Sequence, residues 1–124
     1  MVSATDERFP TYLRIRKRSD YLRVQKKGLT VHSAAFVGIV LGRGPDHVSR
    51  LGITTTKRVG PAVARNRIRR LVREAFRRGR MTLPSNVDMV VVARRATADF
   101  DSATIFNDLN ILGKRAIKLL ENSK

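Results

Sequence analysis

The residues with the clearest chemistry in this 124-residue chain are cations. Lys57 and Arg58 precede a Gly60-Pro61 turn, and Arg65, Asn66, Arg67, Arg69, Arg70, Arg73, Arg77 and Arg78 follow within one short stretch. A guanidinium group is a planar fork of N–H donors that grips phosphate in bidentate fashion and stacks on bases, so a dense array of them suits a nucleic acid. Most charge runs are solvated faces, but those mix Lys with Glu in pairs that support a helix. Here Glu74 alone relieves the charge, and Arg dominates Lys. Like charges at i,i+4 weaken a helix, which makes a polyanion the natural counterpart of this one.

Groups for acid–base, covalent or metal chemistry are sparse. His32 and His47 each lack a partner at i+3 or i+4, and there is no cysteine, so neither a zinc site nor a thiol nucleophile is expected. A two-metal nuclease needs clustered carboxylates, whereas the 10 acids are scattered over the chain. Asp99, Asp101 and Asp108 lie near one another, but Asp101 has an ordinary helix-capping role to fill. No G-x-S-x-G or phosphate-cradling glycine loop occurs. The chemistry of any reaction is therefore expected from a partner.

The elements that position the cations follow from periodicity. Ala64, Ile68, Leu71, Val72, Ala75 and Phe76 mark one face of a helix over 63–78, and a turn of about 100° per residue gathers Asn66, Arg69, Arg70, Arg73 and Arg77 on the other. Ser19 is the expected cap of an earlier helix running to about Lys27 and stopped by Gly28, with Tyr21, Leu22 and Val24 as its apolar contribution. Arg14, Arg16, Lys17, Arg18, Arg23, Lys26 and Lys27 make this a second basic region. Tyr21 there either pins the helix to the sheet or offers a surface for base stacking, and position alone favours pinning.

Residues 31–41 form an almost continuous apolar strand and 48–56 a second one, with an antiparallel hairpin as the economical pairing. Gly38 and Gly52 inside them mark bulges or close backbone approach. Val87 to Ala93 is the clearest strand, and its apolar centre suits an interior place. A strand, the basic helix and this strand imply a crossover unit with part of the sheet parallel. Asp101 or Ser102 caps a last helix to about Asn122, whose Ile105, Leu109, Leu112, Ala116 and Leu119 stripe covers core.

Composition bounds the function class. The formal charge is +16, from 26 Lys and Arg against 10 Asp and Glu, which favours a nucleic acid over an acidic protein or a membrane surface. Residues 1–10 carry Asp6 and Glu7 and lack the apolar centre of a secretory signal. No apolar run approaches the ~20 residues of a membrane span. The chain is expected to be one cytoplasmic nucleic-acid-binding domain over 13–124 behind a flexible arm at 1–12, an α+β fold with three helices packed on a small mixed sheet.

The run Lys57-Arg58-Val59-Gly60, Ala62-Val63, then Arg65-Asn66-Arg67-Ile68-Arg69-Arg70-Leu71-Val72-Arg73-Glu74-Ala75-Phe76 closely resembles the signature of the protein subunit of bacterial ribonuclease P. Arg14-Ile15-Arg16, Asp20-Tyr21, Gly28, Phe36-Val37, Leu51-Gly52-Ile53 and Asp88 to Arg95 extend the resemblance over about residues 12–120. It implies the ribonuclease P protein fold, a small mixed sheet of about four strands packed by three helices like the second domain of ribosomal protein S5, and makes 13–124 a single RNA-binding domain in a ribonucleoprotein that removes the 5′ leader of precursor tRNA. In such an assembly the RNA subunit catalyses with Mg2+ that it mainly holds itself, and no obligate protein partner is implied.

By the same resemblance Lys57, Arg58, Arg65, Asn66, Arg67, Arg69, Arg70 and Arg73 face the catalytic RNA. Arg14, Tyr21, Gln25, Val37 and Ile39 line a cleft for the leader, which moves the preference for Tyr21 from pinning to base stacking. Many family members carry aromatics where this chain has Gln25 and Ile39. The competing reading is a small basic ribosomal or other structural RNA-binding protein without a role in cleavage, from which only the Arg65-Asn66-Arg67 signature separates this chain.

Overall fold

The computed structural model describes residues 11–122, so residues 1–10 of the expected arm lie outside the described residues. Thr11–Leu13 form a short 3-10 turn. There follow α1 (Arg18–Lys27), β1 (Leu29–His32), β2 (Phe36–Gly42), β3 (Arg50–Thr54), α2 (Ala62–Arg77), β4 (Val87–Ala93), a 3-10 turn (Arg95–Asp99) and α3 (Ser102–Asn122). The four strands form one sheet in the order β1-β2-β4-β3.

Every residue of β4 except Val92 is buried, and the strand takes the interior position that its apolar run requires. It pairs antiparallel with β2 and parallel with β3, so the β3-α2-β4 segment is the expected crossover. Alternation along the strands separates two faces. Phe36, Val40, Leu51, Met89 and Val91 join Ile68 and Val72 of α2 and Ile105, Leu109 and Leu112 of α3 in the main core. On the opposite face Ile15, Val24 and Val90 form a smaller cluster, edged by Tyr21, Ile39, Leu41 and Val92.

Two strand expectations are corrected. The strand expected over 31–41 is two strands, because the chain reverses at Ser33-Ala34-Ala35 and β1 pairs antiparallel with β2. That turn carries no glycine or proline. Its donors are met by Asp108 of α3, which accepts from Ser33 Oγ at 2.6 Å, Ala34 N at 3.1 Å and Ala35 N at 3.0 Å. The hairpin expected between the second and third runs does not form either, since β4 inserts between β2 and β3. An interior β4 gains a ladder on both sides, which a sequential hairpin would deny it.

Helix ends differ in smaller ways. The cap of α1 is Lys17, not Ser19, and makes no side-chain hydrogen bond. Pro61 caps α2, and the helix starts at Ala62, as suits a residue with no N–H to donate. The chain leaves that helix through Gly79, whose φ of 72° is left-handed and so favours glycine. No helix among the described residues is long and apolar enough to cross a membrane.

Asp101 is the cap of α3, its carboxylate accepting the Thr104 N–H at 2.8 Å. Hydrogen bonding to the Thr104 side chain first, and to its N–H second, holds the carboxyl below the ordinary aspartate value. A folded value below the unfolded one means that the capping contribution is complete above the ordinary aspartate value and is lost as pH falls through the lowered one. Asp101→Ala is therefore expected to lower the melting temperature at neutral pH, and Asp101→Asn to restore most of it. In thermal scans the gap between wild type and the alanine variant should close as pH drops below about 4.

Candidate RNA interface

The basic face of α2 is built by the burial of its opposite side. Ile68, Leu71, Val72 and Ala75 are buried, which leaves Asn66, Arg70 and Arg73 exposed and Arg65, Arg67 and Arg69 half-buried at the flanks. Arg69 Nη1 donates to Asn66 Oδ1 at 3.3 Å. Arg67 Nη2 donates to the Phe100 carbonyl at 3.0 Å, so part of its guanidinium fastens the segment before α3. The Nε of Arg65 is buried without a hydrogen-bond partner. Glu74 pairs with Arg77 and Arg78, one turn from the exposed set, and therefore relieves the end of the helix and not its middle.

Lys57 and Arg58 are exposed on the link from β3 to α2. With Thr56, Val92, Ala93 and Arg95 they line a recess of about 680 Å³ at the C-terminal ends of the two parallel strands. Arg95 joins this group only through the fold. Its place just after the apolar strand was the available signal.

The second basic region meets α2 at a cleft of about 290 Å³ lined by Arg14, Ile15, Arg16, Tyr21, Leu51, Ile53 and Arg73. Arg14 bridges to Leu51 on the outer edge of β3, and Ile15 N donates to Leu51 O at 3.0 Å. Partial desolvation first, then the neighbouring Arg14 and Arg69, push Arg73 below the ordinary arginine value. An anion entering the cleft would relieve that repulsion.

Tyr21 is held at the hydroxyl end of its ring. Ile53 N–H donates to its hydroxyl at 3.2 Å, and a Cβ on Gly52 would stand 2.9 Å from the ring. Glycine at 52 is thus the seat of this tyrosine, the close approach expected from the sequence. Ile39 lies in the same small cluster as Tyr21, and Val37, two residues earlier on β2, is half-exposed on the same face. Gln25 is exposed one helical turn after Tyr21. The structure therefore brings Arg14, Tyr21 and Arg73 into one cleft and sets Val37, Ile39 and Gln25 on the same side of the sheet.

One functional cluster escaped the sequence reading. Asp88, fully buried at the start of β4, accepts two hydrogen bonds from Arg50 at 2.8 Å each and one from Arg23 at 3.1 Å, with Arg43 Nε at 3.4 Å. The hydrogen bonding of Arg50 to Asp88, more than any other contact, raises Arg50 above its ordinary value. Asp20 stands 3.4 Å from Arg23 and 3.5 Å from Arg50. A lone acid inside an apolar strand was the signal. Among the described residues no group of three or more His, Cys, Asp or Glu side chains could hold a metal, and these two acids are already engaged by arginines.

A basic α+β domain with two converging arginine surfaces defines an RNA-binding protein. Comparison with known proteins narrows the class. The family model of ribonuclease P matches residues 9–117. The ribonuclease P protein component of Desulforapulum autotrophicum is 38% identical over 110 residues, 89% of this chain and 93% of that protein, and that of Thermotoga maritima is 37% identical over 93 residues, 75% and 79%. The solved RNase P protein of Staphylococcus aureus has a TM-score of 0.74 at 32% identity over 90% of this chain and 95% of that one. The RNase P protein of Thermotoga maritima has a TM-score of 0.72 at 35% identity over 82% and 96%. The chain belongs to the ribonuclease P protein family, whose function is tRNA 5′ processing in partnership with ribonuclease P RNA.

The Asp88 cluster sets a stability test. Asp88→Asn leaves the part-buried Arg43 and Arg50 and the exposed Arg23 short of their counter-charge and is expected to cost about 1.5–3 kcal/mol. Tyr21→Phe, which removes one hydrogen bond, should cost about 1 kcal/mol. Urea denaturation of the two variants gives both values.

Proposed function

We propose that the protein works as the RNA-positioning partner of an RNA catalyst. In this reading residues 13–124 act as one domain in the cytoplasm, with no obligate protein partner. Lys57, Arg58, Arg65, Asn66, Arg69, Arg70 and Arg73, with the remaining donors of Arg67, hold the catalytic RNA. The cleft of Arg14 and Tyr21, continued by Gln25, Val37 and Ile39, takes the single-stranded 5′ leader of precursor tRNA. Hydrolysis of the phosphodiester is assigned to the RNA subunit and the Mg2+ that it mainly holds. The protein's own groups bind phosphate, orient the strand and offset repulsion between the two RNAs.

The observation that carries the reading is the junction at Arg73. This residue belongs to the α2 face and also lines the cleft with Arg14 and Tyr21, so RNA along the helix and a strand in the cleft share one border. Tyr21 is committed at its hydroxyl and against Gly52, which leaves it a rigid platform and limits it to the part of the ring not covered.

Reconstitution tests this. Added to a bacterial ribonuclease P RNA at low Mg2+, the protein is expected to stimulate precursor tRNA cleavage. With ~6 to 10 phosphates engaged, affinity should fall by roughly 10³ to 10⁵ between 50 and 200 mM salt. Arg70→Ala or Arg73→Ala should each reduce the salt slope by about 1. No stimulation, together with a flat salt response, would overturn the assignment.

A further inference from the structure

Beside the Tyr21 cleft, and sharing Arg14 and Arg16 with it, lies a second recess of about 580 Å³ lined by Tyr12, Arg14, Arg16, Lys17, Asp20 and Arg50. Four of these six are cations and one is an acid. Asp20 is drawn toward Arg23 and Arg50, which tempers its effect on an incoming anion. Arg50 is the anchored member, because its Nε and Nη2 are fixed on Asp88. A guanidinium group has five N–H donors, so the Nη1 edge of Arg50 remains to meet a ligand without reorganising.

Tyr12 supplies the second kind of contact. It is 69% exposed at the rim, in a chain with only two tyrosines, the other of which is committed to β3. An exposed aromatic ring beside several cations is the arrangement that binds unpaired nucleotides, with phosphate on the charges and base on the ring. Paired RNA would not offer its base face. Arg14 and Arg16 line both recesses, so one strand can pass from the first to the second without leaving positive charge.

We infer that this recess is a second nucleotide subsite, in which Arg16, Lys17 and Arg50 hold a phosphate and Tyr12 stacks the base of a leader nucleotide beyond those in the Tyr21 cleft. The inference rests on the leader assignment made above and adds a residue and a place to it. It also makes the protein sensitive to leader length, since a short leader ends before reaching Tyr12.

The test uses the full chain reconstituted with ribonuclease P RNA and precursor tRNAs that carry a long leader, a short leader or none. Tyr12→Ala is expected to weaken binding of the long-leader substrate at least about fivefold more than of the short-leader one, as loss of one base–aromatic stack requires. Tyr12→Trp should retain the preference, because the contact is to the ring face. Arg16→Ala with Lys17→Ala should lower the salt slope for the long leader by up to about 0.7, the loss of one phosphate contact on a single strand. Equal losses on all three substrates would place the bound nucleotide in the catalytic RNA and overturn the inference. Wild-type behaviour of Tyr12→Ala, with leader-length dependence kept in wild type and weakened by Arg14→Ala, would remove the subsite and leave the leader cleft standing. An enzyme indifferent to leader length in every form would overturn both.

Discussion

A buried carboxylate holds the α1 side of the sheet in place. The helix α1 buries only Val24 fully, too little apolar area to dock ten residues on its own, since one valine contributes about 1.5–3 kcal/mol. Asp88 makes up part of the difference by gathering Arg23 from α1, Arg43 from the β2–β3 connection and Arg50 from β3. Such a cluster gains little over well-packed apolar residues in net stability, because desolvation offsets attraction, but it fixes which groups meet. The orientation of α1 and the position of Arg50 at the second recess follow from it, whereas residues 14–15 are held by Leu51 on β3.

The basic helix shows a different balance. No acid stands in its first turn, and Arg65 lies near the positive end of the helix dipole, where a cation is disfavoured. Each like-charge pair along its outer face costs about 0.2–0.5 kcal/mol, whereas Ile68, Leu71 and Val72 each contribute about 1.5–3 kcal/mol by burial. Packing wins, and the helix forms before any RNA arrives. The repulsion is retained as a bias toward a polyanion, so charge that is unfavourable in the free protein favours the bound state.

What the sequence revealed follows the range of the interactions involved. The α2 face, the central β4 and the Asp101 cap were legible, because periodicity and capping are local. The β1–β2 turn was not, since its donors are met by Asp108, which lies more than 70 residues away in the chain. The order β1-β2-β4-β3 was hidden for the same reason: no local signal tells β2 to pair with β4 in preference to β3. At the candidate interface, arginine spacing pointed to the residues of α2, and the family resemblance to Arg14. Tyr21 was legible as an aromatic of interest, but both of its suggested roles had a basis, and the structure shows how firmly it is pinned. Tyr12 and Arg50 gave no sign, for one stands in a nondescript turn and the other acquires its orientation from Asp88.

The outer edge of β3 carries one further consequence. Where an edge strand normally leaves a row of unpaired N–H and C=O groups, the Tyr21 hydroxyl takes the N–H of Ile53 and Ile15 N takes the carbonyl of Leu51. The edge is thereby closed to strand addition by another copy of the chain. The tyrosine thus acts as a guard against self-association, and the opposite border of the sheet is the four-residue β1, short enough to be a poor template in its own right.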